Sequence, residues 1–158
     1  MRKIILLWII LGAAYINIEI FWRGYTHVSM FIVGGLCGVL IGLINQSSRF
    51  YNMRVITQSA IGAVIVLCVE LLAGIVINIW LGLDVWDYTG LPGNILGQIC
   101  LQYGLLWLLL MPFAIWLEDT ARWCIYLWDR ELGKRRYKTP ITPPYTLTRI
   151  YADFFTGK

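Results

Sequence analysis

Residues 55–83 read VITQSAIGAVIVLCVELLAGIVINIWLGL, and Glu70 is the one charged residue among them. A helix of this length measures roughly 43 Å at about 1.5 Å per residue. The hydrocarbon core of a bilayer is only about 30 Å thick. The sequence therefore predicts a transmembrane helix that must tilt, bend or protrude from the membrane.

Three further stretches have the same apolar character, and they cover residues 4–22, 27–46 and 94–117. The whole chain is 59% hydrophobic and 14% charged, whereas soluble proteins are about 45–50% apolar and about 25% charged. Such a chain cannot cover a water-facing surface with polar groups. We therefore predict an all-α polytopic membrane protein, with a four-helix transmembrane bundle in residues 1–117.

Residues 118–158, which follow the predicted bundle, are expected to form a helix and a tail. Apolar residues recur at helical spacing from Ala121 to Leu132, with charged residues on the opposite side, so residues 118–133 predict an interfacial amphipathic helix. Residues 134–158 are predicted to form a basic, proline-containing cytoplasmic tail. Four of its basic residues suit anionic lipid headgroups: Lys134, Arg135, Arg136 and Lys138.

The basic residues indicate the orientation of the chain. Placing the N-terminus in the cytoplasm puts twelve of the thirteen lysines and arginines on the cytoplasmic side, which membrane proteins favour. Arg23 is then the exception on the outside, where the other loop carries Asp84 and Asp87. We predict a multi-pass cell-membrane protein with both termini in the cytoplasm. The net charge of +4 belongs to one membrane face and does not indicate nucleic-acid binding.

Glycines recur four residues apart in the second apolar stretch, at Gly34, Gly38 and Gly42. This spacing makes a flat strip on which another helix can approach closely, which favours tight association in lipid. The partner across the strip is either another span of the same chain or a second subunit.

Two carboxyl groups fall inside predicted spans. Glu70 lies near the bilayer centre, where an ionisable side chain is costly and usually faces the bundle or a cavity. It has either a functional role or a structural one, as a neutral group hydrogen-bonded to a neighbouring helix. Glu19 precedes Arg23 by four residues, the favourable helical order for an ion pair.

Three carboxamides, Asn94, Gln98 and Gln102, are spaced four apart and predict a polar stripe on the fourth helix. They either hold the bundle together by hydrogen bonds between helices or line a path from the outside towards Glu70. Asn94 follows Pro92 and Gly93, so it could instead cap the start of that helix.

The connection WDYTGLPGN, residues 86–94, is rich in turn-forming and aromatic residues. It is either an ordinary interfacial turn or the outer mouth of a cavity. The residues expected at such a mouth are Arg23, His27, Trp86, Asp87 and Tyr88.

The sequence shows no clear pattern of catalytic or metal-binding residues. His27 is the single histidine, and the four cysteines have neither metal-ligand nor redox spacing. No catalytic set is evident against the usual combinations of nucleophile, base and orienting group. We expect no enzyme activity, no cofactor and no metal.

Several segments together resemble the type IV ABC-transporter permease family of CmpB-like small bacterial membrane proteins. They are WRGYTH (22–27), SMFIVGGLCGVLIGLIN (29–45), WDYTGLPGN (86–94) and ILGQICLQYGLLW (95–107). The resemblance extends roughly from Tyr15 to Trp107, and its most specific part is WDY-x-x-x-P-x-N running into G-x-I-C-L.

This resemblance implies the membrane-spanning part of a transporter. A separate ATPase would supply energy, because the chain has no GxxxxGK[ST] motif. Four spans are few for a permease, so the resemblance also implies a homo-oligomer or another membrane subunit.

We therefore expect a small transporter or channel-like subunit in the lipid bilayer. Its expected polar path comprises Glu70, Gln98, Gln102, Asn94 and Glu19. The alternative is a non-transporting scaffold, regulator or immunity-type protein that acts through helix packing and its basic tail. The sequence does not indicate a substrate.

Overall fold

The computed structural model describes residues 2–45, 53–131 and 146–157. The described residues form five helices and their connections, without a β-strand beyond one isolated bridge between Ile95 and Ile99. The helices are α1 (Arg2–Arg23), α2 (Val28–Asn45), α3 (Val55–Gly74, continued by a π-helix over Ile75–Trp80), α4 (Leu101–Glu131) and α5 (Leu147–Thr156).

The apolar composition of the long helices is typical of a membrane protein. Three segments are long and apolar enough to cross a bilayer, namely Arg2–Arg23, Val55–Trp80 and Leu101–Ile125, with mean hydropathies of 2.2, 2.8 and 1.4. Helix α2 is equally apolar but has 18 residues, which is near the lower limit of about 17 residues for a span.

The four long helices alternate in direction. Helices α1 and α2 form an antiparallel pair, with Gly12 against Phe31 and Gly35 against Trp8. Helix α3 runs antiparallel to α4, where Gly62 meets Met111. Residues 24–27 and 81–100 thus lie at one end of the bundle, which we call the loop end, and the opposite end is the terminal end.

The glycine strip of α2 packs within this chain. Gly34 faces the ring of Tyr15 and Gly38 faces Leu11, both on α1, while Gly42 faces Glu118 on α4. A Cβ atom added at Gly38 would lie 2.6 Å from Leu11 Cδ1, closer than real Cβ contacts. The sequence left open whether the glycine strip packs on the same chain or on a second subunit. In the structure it packs on helices of the same chain.

Helix α4 differs from the predicted fourth span at both ends. It begins at Leu101 rather than Asn94, because residues 95–100 form a turn and a bridge, with positive φ angles at Leu96 and Gly97. It then continues through the buried Pro112 and past residue 117 to Glu131. Residues 118–131, expected as part of a separate interfacial helix, are thus a direct extension of α4.

Helix α5 folds back against the bundle. Ile150 is fully buried in the main apolar cluster with Val66 and Met111. The hydroxyl of Tyr151 donates a hydrogen bond to the carbonyl of Leu109 at 3.1 Å. The end of the predicted tail therefore packs on α3 and α4. The predicted headgroup-binding residues, Lys134, Arg135, Arg136 and Lys138, lie outside the described residues.

We expect Gly38→Leu to destabilise the bundle, because the added side chain must displace Leu11 or separate α1 from α2. Overpacking of this kind costs roughly 1–3 kcal/mol. The matched control is Ala13→Leu, which adds similar bulk on the exposed side of α1. Thermal unfolding in detergent measures both variants. Equal melting temperatures for the two would show that close contact at Gly38 is dispensable.

Candidate functional site

Glu70 is buried among three helices. Its side chain is 5% exposed, and it lies on the inner face of α3 with Val66 and Gly74. Glu70 Oε1 accepts a hydrogen bond of 2.9 Å from the indole Nε1–H of Trp107 on α4. The Trp107 ring stacks on Tyr15 of α1, with ring centroids 5.9 Å apart. These contacts orient the carboxyl group towards the middle of the bundle.

The second oxygen of this carboxyl group has no partner. Glu70 Oε2 is buried and makes no hydrogen bond with any residue that the structure describes. The carboxyl group takes part in neither the Glu19–Arg23 ion pair nor the Glu118–Arg122 ion pair. A buried polar atom without a partner is unusual and calls for an explanation such as an ion, a water molecule or a ligand.

A cavity of about 310 Å³ connects Glu70 with Glu19. Both carboxyl-bearing residues line it, and so do the highly exposed Phe21 and Trp22, so the cavity reaches the protein surface at the loop end of α1. Aromatic rings form much of its inner wall, which includes Tyr15, Trp86, Tyr88, Tyr103 and Trp107.

A smaller cavity of about 80 Å³ lies on the other side of Glu70. Its lining is almost entirely apolar and extends to Leu11 and Leu117, towards the terminal end. Glu70 and Trp107 line both cavities. The carboxyl group therefore stands at the boundary between a wide space at the loop end and a narrow, apolar one beyond it.

The charge of Glu19 is compensated, in contrast to that of Glu70. Glu19 is buried, forms an ion pair with Arg23 and accepts a hydrogen bond from the hydroxyl of Thr26. The Arg23 guanidinium also lies 4.8 Å from the centre of the Tyr25 ring, and it donates to the carbonyl of Val85 at 3.4 Å. These contacts hold the ion pair in the cavity wall.

Asn78 organises the loop end, a role that was not predicted from the sequence. Its Oδ1 accepts from the backbone N–H of Val85 at 2.8 Å, and its Nδ2 donates to Trp86 O at 2.9 Å and to Gln98 Oε1 at 2.7 Å. Asn78 lies in the π-helical turn, and such turns are frequent at functional sites. The sequence does contain one indication of this role, because Asn78 is a single carboxamide near the end of an otherwise apolar run.

The predicted stripe of three carboxamides does not form. Gln98 is buried, but it belongs to the turn that precedes α4. Asn94 is exposed and donates to the carbonyls of Thr89 and Leu91, and Gln102 is exposed on α4. None of the three lines either cavity. The prediction assumed a helix from residue 94, and the turn over residues 95–100 breaks that spacing.

Of the residues predicted at the outer mouth, Arg23, Trp86 and Tyr88 line the large cavity. The indole of Trp86 donates to Gln98 O at 3.0 Å, and Tyr88 stacks on Tyr103 with centroids 4.6 Å apart. Burial raises the pKa of the Tyr88 hydroxyl above its ordinary value, and the charge of Glu70 acts in the same direction. Tyr88 therefore remains a neutral member of the wall.

The other two predicted mouth residues lie elsewhere. His27 Nδ1 lies 2.8 Å from the hydroxyl oxygen of Ser29 at the start of α2. Asp87 is exposed and accepts from the backbone N–H and the hydroxyl of Thr89, at 2.8 and 2.9 Å. Both side chains make local contacts that organise turns, and neither lines a described cavity.

A third buried acid, Glu118, was also missed. It is fully buried in α4, where it pairs with Arg122, whose Nε donates at 2.8 Å, and it lies against Gly42 of α2. The prediction treated residues 118–133 as an interfacial amphipathic helix and assigned no role to Glu118. Within the residues that the structure describes, no three metal-ligating side chains come together.

The fold and its apolar helices define an all-helical membrane protein. The model of the family described as "Putative ABC-transporter type IV" matches residues 8–133, and the chain belongs to that family. Comparisons with curated proteins and with solved structures give no match.

We expect Gln98→Leu to lower stability by about 1–3 kcal/mol, because it leaves one N–H of the buried Asn78 amide without its acceptor. The matched control is Gln102→Leu, which changes an exposed carboxamide four residues away and should shift stability by no more than about 0.5 kcal/mol. Unfolding curves in detergent measure both variants. Equal losses of stability in the two variants would show that the hydrogen bond between Gln98 and Asn78 does not stabilise the loop end.

Proposed function

We propose that this chain is a small transport subunit of the cell membrane, with a polar path that leads from the loop end to Glu70. The observation that carries the proposal is the single cavity of about 310 Å³ lined by both Glu19 and Glu70. A carboxyl group at mid-membrane depth is costly, and such residues typically mark ion or substrate pathways. A purely structural role would instead favour full satisfaction of both carboxyl oxygens.

The unequal cavities fit a path that opens to one side at a time. The wide cavity extends from Glu70 to the loop end, whereas the narrow cavity beyond Glu70 is walled by apolar side chains such as Met111 and Val66. Transport past Glu70 would require α4 to move relative to α2 and α3. Pro112 lies next to Met111, and proline weakens a helix locally, so this part of α4 is a suitable hinge.

In this proposal α1 to α4 all cross the bilayer, and the loop end faces outwards. That orientation keeps twelve of the thirteen basic residues in the cytoplasm, together with both termini. It also opens the wide cavity to the outside.

The family supports an ABC-type role, in which the chain is the membrane part and a separate ATPase supplies the energy. The chain has no GxxxxGK[ST] motif of its own. We propose that it assembles as a homo-oligomer or with another membrane subunit, since four spans are few for a complete permease, and that it catalyses no reaction itself.

The rival function is a membrane scaffold or regulator. The close contacts along the glycine strip and the buried Glu118–Arg122 pair favour it, because they describe a rigid bundle. The two functions differ in whether water reaches Glu70 from the large cavity.

Thiol labelling in reconstituted vesicles tests this difference. Cys37, Cys100 and Cys124 are replaced by alanine, and Glu70→Cys is combined with Cys68→Ala. N-ethylmaleimide reacts with thiolates, which form in water but not in lipid, and mass spectrometry follows the reaction. We expect labelling at position 70 because the cavity admits water.

The matched control is the same background with Glu70 intact and Cys68 retained. Cys68 is exposed on the outside of the bundle, two residues from Glu70, so it faces lipid at nearly the same depth. A reaction at position 70 at least tenfold faster than at Cys68 supports the path. Leu106→Cys, another lining position that preserves Glu70, repeats the test. If the cysteines at positions 70 and 106 are both as unreactive as Cys68, the result would favour the role of a membrane scaffold or regulator.

A further inference from the structure

We infer that the large cavity binds a hydrophobic organic cation, with the positive centre beside Glu70 and the apolar groups against the aromatic wall. The inference rests on the proposed transport function and names the class of its cargo.

The charge of the site is unbalanced whenever Glu70 is ionised. Arg23 and Glu19 both line the cavity, but they neutralise each other as an ion pair. Glu70 remains, with one oxygen bonded to Trp107 and the other, Oε2, buried without a described partner. An unpaired carboxylate in an apolar interior is destabilised, and a cation placed beside it removes that cost. An anionic ligand would increase the imbalance, and a neutral one would leave it unchanged.

The wall of the cavity suits the body of an organic cation. Two stacked ring pairs contribute to it, Tyr15 with Trp107 and Tyr88 with Tyr103. Aromatic faces attract ammonium groups through the quadrupole of the ring, and quaternary ammonium ligands are commonly bound by such rings. Trp107 both contacts Glu70 and forms part of this wall, so one residue links the charged and the aromatic parts of the site.

The size and lining disfavour a bare metal ion. Hard cations such as Ca²⁺ take about 6–8 oxygen ligands, whereas this cavity offers one unpaired carboxyl group and mostly apolar carbon. Its volume of about 310 Å³ is at the lower end of the range of roughly 300–1,000 Å³ that is typical of small-molecule sites. A compact aromatic ammonium ion therefore matches the space better than either a metal ion or a large lipid.

Calorimetric titration of the purified full chain in lipid nanodiscs tests the inference. The probe is benzyltrimethylammonium, and its neutral carbon isostere, neopentylbenzene, serves as the ligand control. We expect the cation to bind at least tenfold more tightly than the isostere. Equal affinities would overturn the inference, because they would show that the carboxyl group contributes nothing.

The variant Glu70→Gln should weaken cation binding at least tenfold while leaving isostere binding unchanged. Asp87→Asn is the matched control, since Asp87 is an acid of the same loop end that lines neither cavity, and it should bind like the wild type. Should Glu70→Gln fail to fold, Leu106→Trp provides a second test, because it fills the cavity and should block the cation with the charge intact. Wild-type affinity in a folded Glu70→Gln protein, or in Leu106→Trp, would overturn the inference.

The labelling experiment at positions 70 and 106 separates this inference from the proposed function. Reactive thiols without cation binding would leave the water-filled path standing and reject the organic cation as its cargo. Unreactive thiols would reject the path itself.

Discussion

The burial of one carboxyl group in the middle of an apolar bundle constrains the surrounding structure. In hydrocarbon, polar groups must find their partners within the protein. Trp107 of α4 provides one hydrogen bond to Glu70 of α3, and Tyr15 of α1 stacks on that indole. Three helices therefore meet at the hydrogen bond between Trp107 and Glu70. The other carboxyl oxygen, Glu70 Oε2, has no described partner, so a ligand or water molecule that binds there would supply the missing hydrogen bond.

The large cavity lies towards the loop end, whereas the close contacts of Gly38 and Gly42 lie towards the terminal end. Gly38 and Gly42 allow α2 to approach α1 and α4 closely, and the Glu118–Arg122 pair lies in that dense region. At the loop end, large aromatic side chains and the connection anchored by Asn78 occupy the space between the helices. The wide cavity lies among these aromatic side chains, between Glu70 and the loop end.

Composition and spacing predicted the features that depend on local sequence. Apolar runs predicted the first three helices to within about three residues, and the interval of four between Glu19 and Arg23 predicted their ion pair. Features that depend on contacts between distant segments were not predictable. The apolar residues 95–100 fold into a turn although their composition suits a helix, and Gln98 there meets Asn78, twenty residues earlier in the chain. Periodicity likewise predicted an interfacial helix over residues 118–133, and it gave no indication that tertiary packing buries Glu118.

Water that reaches Glu70 from the loop end must also come close to the Trp107 indole, which donates a hydrogen bond to this carboxyl group. Solid-state NMR of protein with ¹⁵N-labelled tryptophan in bilayers, with Trp107→Phe for assignment, measures magnetisation transfer from water to each indole N–H. Trp8 is the internal reference, since it packs against Phe31, lines neither cavity and lies nearer the terminal end. We expect faster transfer to Trp107 than to Trp8, because Trp107 lines the large cavity and Trp8 does not. A Trp107 signal that gains water magnetisation no faster than the Trp8 signal would show that water does not reach Glu70 from the loop end.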